Sequence, residues 1–196
     1  MMSTRTLFRS IAALAALIAV ASCAGKKSDP LEDAIVAKLQ EQNPTLERFE
    51  ITRLEFDSSV TLDNELFRRE SVFRTKEKDA GKKAAMYREK DMKVNAKKNE
   101  NIQKETQDIL ERFATYREVH AAQLDSVVYN IYSMDGFGRT TDRVRIDVED
   151  YYVSVSTSGE VLAIVAHNAN PHKSMGRVIP GYFTEILGKE EESKTE

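Results

Sequence analysis

The feature that most constrains the fold is a stretch of about sixty residues, 60–124, that contains no proline and a single glycine, Gly81. Proline and glycine oppose helix formation more than any other residues, so their scarcity predicts long helical structure. Behind this stretch the apolar residues change to alternate spacing, with Val127, Tyr129 and Ile131 on one side of an extended chain, which is typical of a strand. We therefore predict one α+β domain for this chain of 196 residues.

The helical stretch can fold in two ways. Its middle, 76–105, carries ten basic and six acidic residues and has little to bury, whereas an apolar stripe follows at spacings of three and four. One long helix across a sheet, or two antiparallel helices, would give this stripe a partner. Three asparagines at 95–101 lower helix propensity, which favours a hairpin that turns there and packs the stripe against Leu62, Leu66 and Phe73. The stripe consists of Ile102, Thr106, Ile109, Phe113, Tyr116, His120 and Leu124.

Two shorter elements precede the helical stretch. Asp29 and Pro30 form the start signal of an N-terminal helix that ends at 43–44. Residues 49–56 predict a strand whose apolar phase changes near Arg53, which indicates a bulge. Thr61 or Ser59 can cap the helix that follows.

The last third predicts a C-terminal antiparallel meander of three to four strands. We expect the strand from Val127 to end at 135–138, where two glycines break the run, and a second strand to follow from Val144 with a bulge at 149–150. A tight turn at 158–159 leads into a strand at 161–166. Residues 168–181 predict a loop, 182–187 a helical turn that docks on the sheet, and 189–196 a disordered acidic tail.

The amino-terminal segment predicts export. Arg5 and Arg9 precede an apolar run, 11–21, that is too short to span a membrane. The sequence Val-Ala-Ser-Cys at 20–23 resembles the lipobox of bacterial lipoprotein precursors. In that family the cysteine thiol receives a diacylglycerol, the signal peptide is cut before it, and the new amino terminus is acylated. The resemblance implies lipidation of Cys23, and the alternative is a plain secretory peptide that is cut after a small residue at 19–22.

The resemblance also divides the chain and implies a location. Residues 1–22 would be the signal peptide, 23–28 the lipidated cysteine and its tether, and 29–188 the folded domain. Two or more acyl chains hold a protein stably on a membrane, so the membrane is an expected partner through Cys23. Ala24 stands where an aspartate would indicate inner-membrane retention, which implies the outer membrane. No acidic cluster follows at once, which favours the periplasmic face.

Composition and motifs exclude several functions. The net charge of −3 becomes −5 once Arg5 and Arg9 are removed with the signal peptide, and this balance disfavours nucleic acid as a partner. The single cysteine leaves no free thiol if it carries lipid. The sequence lacks the motifs of P-loops, serine hydrolases, zinc peptidases and dinucleotide-binding loops. We expect no cofactor, no metal site and no catalytic residue.

Residues that could bind a ligand lie in the C-terminal third. The loop predicted at 136–141 could turn backbone N–H groups and Arg139 toward an anion, although a hairpin loop also explains its glycines. His167 and His172 follow the last strand, and Tyr151 and Tyr152 could form a platform for a sugar or a peptide. Four nearby acidic residues fit a solvent-exposed strand better than a calcium loop, namely Asp142, Asp147, Glu149 and Asp150.

These observations predict a lipid-anchored envelope protein that binds another envelope protein without catalysis. The helical hairpin would be the contact surface, because it is longer than one core requires. The alternative is a small-ligand module in which 136–141 and 167–173 border a pocket of the sheet. An enzyme whose catalytic groups are spread along the chain is a third hypothesis.

Overall fold

The computed structural model of the protein describes residues 29–172 and 175–189. The predicted signal peptide, Cys23, the predicted tether and residues 190–196 of the predicted tail lie outside these ranges. No helix within them is both long enough and apolar enough to cross a membrane. The elements, in chain order, are α1 (Pro30–Gln42), β1 (Leu46–Thr61), α2 (Leu62–Glu89), α3 (Lys93–Val119), a 3-10 turn (Ala121–Gln123), β2 (Val127–Thr140), β3 (Arg145–Ser156), β4 (Val161–Ala166), a second 3-10 turn (Met175–Val178) and a π-helical turn (Tyr182–Ile186).

The four strands form one antiparallel sheet in the order β1-β2-β3-β4, so each strand pairs with its neighbour along the sequence. Helices α2 and α3 are inserted between β1 and β2. The predicted α+β fold with a C-terminal meander is confirmed, and β1 joins the three C-terminal strands as an edge. β1 is 16 residues long because its pairing with β2 continues on both sides of the predicted strand at 49–56.

Helix α1 covers one face of the sheet. Asp29 accepts a hydrogen bond from the Leu31 N–H at 2.9 Å, and Pro30 begins the helix, as predicted. Ile35 is fully buried in a cluster with Met134 of β2 and further valines of β3 and β4. Because successive side chains of a strand point to opposite faces, Tyr129 and Ile131 of β2 lie on the other face, under the C-terminal segment.

Helices α2 and α3 form the predicted antiparallel hairpin. Thr61 caps α2 by accepting a hydrogen bond from the Asn64 N–H at 3.3 Å. Leu62 and Leu66 of α2 share an apolar cluster with Phe113 of α3. The predicted contact between the apolar stripe and the start of the first helix is therefore confirmed.

The turn of the hairpin lies at 90–92, and the prediction of a turn at 95–101 is wrong. Asp91 at the turn has a φ of 52°. The asparagines lie inside α3 instead, where the Asn99 side chain donates to the Asn95 carbonyl at 2.8 Å. An asparagine weakens a helix by only about 0.7 kcal/mol relative to alanine. Burial of Ala96 within the hairpin outweighs that preference.

Strand β2 runs without interruption through 135–138, so the prediction of a break there is wrong. A Cβ on Gly136 would lie 2.6 Å from the Glu50 carbonyl oxygen and 2.7 Å from the Phe49 ring. Glycine is required at position 136 because the β1 backbone and the Phe49 ring approach it too closely for any side chain. The connection between β2 and β3 lies at 141–144, where Arg143 has a φ of 65°.

Both predicted bulges are present, and a residue of each contacts the Asp135 carboxylate. The register of β1 against β2 shifts between Ile51 and Arg53, and β3 has an extra residue at 149–150 opposite β2. Asp150 has a φ of 52°, and its N–H donates to Asp135 Oδ1 at 2.9 Å. Arg53 Nε lies 2.7 Å from Asp135 Oδ2. These two donors lower the pKa of the Asp135 carboxyl.

The π-helical turn at the C-terminus docks on the hairpin, and the prediction that it docks on the sheet is wrong. Tyr182 and Ile186 belong to the cluster of Leu66 and Phe113. The Tyr182 and Phe113 rings meet edge to face at 6.4 Å between centroids. The apolar stripe of α3 offers an open surface for this turn, whereas α1 already covers one face of the sheet.

Gly136→Ala is expected to destabilise the fold by about 1–3 kcal/mol, because the new methyl group overpacks β1. Chemical unfolding measures this change. Val127→Ala at the exposed start of the same strand is the control and should stay within about 0.5 kcal/mol of the parent. A Gly136→Ala protein as stable as the parent would contradict the close approach of Phe49.

Candidate interaction surface

The helical hairpin is fixed to the rest of the molecule at its base. Leu66 and Phe113 are fully buried there, and Ile186 of the C-terminal turn completes the cluster. The Tyr116 hydroxyl donates to the Pro180 carbonyl at 2.8 Å. The base is therefore held by both apolar packing and a hydrogen bond to the C-terminal segment.

The outer half of the hairpin, residues 76–105, is called here the distal arm, and it is closed by small side chains. Ala80 and Ala84 of α2 and Ala96 of α3 are buried. A Cβ on Gly81 would lie 2.9 Å from the Gln103 side-chain nitrogen. The two helices of the arm are therefore close together, with only small apolar side chains between them.

Polar contacts link the two helices of the distal arm. Gln103 donates to Glu77 Oε1 at 2.7 Å, and Arg88 pairs with Glu100 at 2.7 Å. Within the described residues, the ion pairs and side-chain hydrogen bonds of the arm stay inside the hairpin, and no arm residue belongs to a cluster that packs on the sheet. The arm therefore extends away from the core as a separate feature.

The end of the distal arm exposes apolar side chains. Val94 is 83% exposed, and Met86 and Met92 beside the turn are also exposed. Single exposed apolar residues are common on protein surfaces. All three lie at the end of one projecting element, where a partner could contact them, and methionine adapts well to irregular partner surfaces. This group of three is called the tip below.

Charge is distributed unevenly between the distal arm and the rest of the chain. The ten basic and six acidic residues of the arm give it a net charge of +4. The whole chain has a net charge of −3, so the residues outside the arm carry −7. Lys93, Lys97 and Lys98 lie on the first turns of α3, next to the tip. The arm is thus a basic element on an acidic protein.

His172, a candidate from the sequence, belongs to a buried polar network. The Tyr129 hydroxyl donates to Glu65 Oε2 at 2.9 Å and lies 2.7 Å from His172 Nδ1. Because its one proton goes to the carboxylate, Tyr129 accepts from His172, which assigns the imidazole proton to Nδ1. Arg69 donates to Glu65 Oε1 at 2.7 Å and to the His172 carbonyl at 2.8 Å. The network joins α2, β2 and the segment after β4.

The environment of this network keeps the His172 ring neutral. Burial, followed by the charges of Arg68 and Arg69, lowers the pKa of His172 to about 4. Burial and the Glu65 carboxylate raise the pKa of Tyr129. The groups satisfy one another, so the network resembles a structural joint more than a binding site.

The other sequence candidates lie at separate places. The Tyr152 and His167 rings lie 5.1 Å apart between centroids and are tilted by 33°, whereas Tyr151 lies on the opposite face, with the α1 cluster. Tyr152 pairs with Ser133 of β2. Arg139 lies on β2 six positions beyond Ser133, which corresponds to about 20 Å at the usual rise per residue of a strand. The structure does not bring the five candidates together in one pocket.

Arg139 borders a cleft at the end of the sheet. The cleft has a volume of about 650 Å³, and Val36 and Phe49 form part of its apolar wall. Arg48 and Arg145 line it together with Arg139. An apolar wall with several guanidinium groups is suited to a small anion with an apolar body.

Two of the four acidic residues near β3 are paired with arginines. Asp150 lies 3.3 Å from Arg53, and Asp147 lies 2.8 Å from Arg145. Across the ranges 29–172 and 175–189, no three histidine, cysteine or acidic side chains come together in a way that could hold a metal ion.

Comparison of the chain with protein-family models, with curated proteins and with solved structures gives no match. Sequence reasoning missed two features of the structure. The first is Glu65, which lies on the apolar face of α2 between Leu62 and Leu66; a charge on a buried face was the available signal. The second is the exposed tip, because a turn predicted at 95–101 does not place Met86, Met92 and Val94 together at the end of the hairpin.

Stability is expected to fall as the pH decreases from about 6.5 to about 4. In this window the unfolded chain binds a proton at His172 that the native protein does not, so the free energy of unfolding decreases with decreasing pH. NMR titration of the three imidazoles, with signals assigned by substitution, measures the midpoint directly. A His172 midpoint near 6.5 would contradict its burial beside Tyr129.

Proposed function

We propose that this chain is a lipid-anchored protein of the bacterial cell envelope that binds another protein through its distal arm and catalyses no reaction. The lipobox-like sequence at 20–23 supports the anchor. The observation that carries the binding proposal is the tip, where apolar side chains are exposed on an element that the core does not need.

The distal arm has the shape of a presenting element. Its first helix, from residue 76 to the end of α2, is 14 residues long, which corresponds to about 20 Å of helix. The Gln103–Glu77 and Arg88–Glu100 contacts hold the two helices in register along this length. A rigid arm loses little conformational entropy on binding, which favours affinity.

The partner that fits this arm is an acidic protein surface with an apolar depression. Full burial of a valine or methionine side chain contributes about 1.5–3 kcal/mol. The arm's charge of +4 would speed association with an acidic surface and select against basic ones. Apolar contacts would thus supply affinity, and the lysines near Val94 would supply specificity.

A small-ligand module is the second candidate function. The cleft beside Arg139 favours it, because the cleft combines an apolar wall with three arginines. It ranks second because Arg145 is already paired with Asp147, and glutamates line the same cleft.

A photo-crosslinking residue placed at position 94 is expected to capture a specific envelope protein, and the same residue at position 119 is not. Both positions are exposed valines of α3, one at the tip and one at the base. With the photo-crosslinking residue moved to position 92, Val94→Ser should reduce capture of the partner by about tenfold or more, because the apolar contact of Val94 is lost. Val119→Ser should leave capture unchanged, and added salt should reduce it.

Equal capture at positions 94 and 119 would contradict the distal arm as the contact surface. The same conclusion would follow if Val94→Ser captured the partner as well as the parent does. Either result would favour the second candidate function, a small-ligand module that uses the cleft beside Arg139.

Cys23→Ser is expected to abolish incorporation of a labelled fatty acid, because the thioether to the diacylglycerol can no longer form. Ser22→Ala is the control, since it keeps a small residue before the cysteine and should retain the label. Label that persists in Cys23→Ser would refute the anchor while leaving the proposed role of the arm to its own test.

A further inference from the structure

The two edges of the sheet differ in how they are protected against pairing with another strand. β1 carries six charged residues and has four register irregularities against β2. Charges and bulges are the features by which edge strands avoid other strands. β4 has the sequence Val-Leu-Ala-Ile-Val-Ala, with no charge, no proline and a single register irregularity against β3, at Leu162. The protected edge is therefore β1, and β4 is the open one.

The outer side of β4 has almost no partner among residues 29–172 and 175–189. β3 is its neighbour in the sheet, and within those ranges no other segment forms a backbone ladder with it. The Leu162 carbonyl accepts from the exposed Arg177 side chain at 3.1 Å, and the Ala166 carbonyl accepts from Ala169 in the following turn. An edge strand otherwise presents unpaired N–H and C=O groups to its surroundings.

The two faces of β4 are already covered. Val161 and Ile164 are buried in the α1 cluster, and Leu162 packs with Tyr129 on the opposite face. What stays available is the backbone, so a partner at this edge must supply a strand.

We propose that this strand is β4 of a second copy, paired antiparallel to form one continuous eight-stranded sheet. Pairing of two identical strands about a two-fold axis places the same residues opposite one another. With no charge in β4, this arrangement sets no like charges face to face. The chain's own tail, 190–196, has four glutamates and a lysine and fits an apolar edge poorly.

Symmetry limits the register of this pairing. In antiparallel strands, facing residues are either both hydrogen-bonded across the pair or both not. From Ala163 to Ala166, beyond the irregularity at Leu162, the same alternate residues point outward in both copies, so the two-fold axis must lie level with a residue and not between two successive residues. An axis at Ala163 or Val165 sets that residue opposite itself, and an axis at Ile164 sets Ala163 of one copy opposite Val165 of the other.

Disulfide trapping tests the proposal. Cys23→Ser removes the chain's single cysteine, and Ala163→Cys and Val165→Cys are then introduced separately into the full-length protein. Both positions are half-buried on one face, and cysteine is close to alanine and valine in size. Thr52→Cys, exposed on the protected edge β1, is the matched control. Circular dichroism and thermal unfolding verify that each variant is folded.

Mild oxidation of the two β4 variants, alone and mixed, is expected to link most of the protein into a species of twice the chain mass, with the linkage mapped by mass spectrometry. Thr52→Cys should stay unlinked. No linked species in any of the three β4 samples would overturn the proposal, and so would equal linking of Thr52→Cys. Capture of a partner protein through the tip does not depend on β4. Failure of the β4 pairing would therefore leave the proposed binding through the tip intact, and the reverse also holds.

Discussion

A buried carboxylate holds the parts of this molecule together. Glu65 is fully buried, and it accepts from Arg69 on its own helix and from Tyr129 on the sheet. Arg69 also holds the His172 backbone, so the hairpin, the sheet and the C-terminal segment meet at one negative charge. Removing a partner from a buried ion pair destabilises a protein by about 3–5 kcal/mol, because the remaining charge is left without compensation. The position of the hairpin base against the sheet depends on this joint.

Sequence reasoning succeeded where the signal was local. The cap at Thr61, the start of α1 at Asp29 and the bulge at Asp150 each depend on a few neighbouring residues, and all are present. It failed where a distant residue decides the structure. Gly136 looks like a turn residue until Phe49 is placed across the strand, and the hairpin passes the asparagines because Ala96 is buried. The buried joint was missed for the same reason, since Glu65 and Tyr129 are 64 positions apart.

The two halves of the hairpin are built from different side chains. The base uses large apolar residues such as Leu66 and Phe113, which join it to the C-terminal turn. The distal arm uses alanines and polar contacts, so its helices support each other and nothing else among the described residues. A change in the arm is therefore confined to the arm, while a change in the base reaches the sheet. This separation allows the tip to vary without loss of the fold.

Because the two helices of the distal arm pack only on each other in the described part of the chain, the length of the arm can change without disturbing the rest of the fold. Insertion or removal of seven residues in each helix would keep the buried faces aligned, because seven residues are close to two helical turns. Each such step would move Val94 by about 10 Å relative to the base, while the contacts of Leu66 and Glu65 stay in place. Evolution can therefore set the distance of the tip from the sheet through arm length alone.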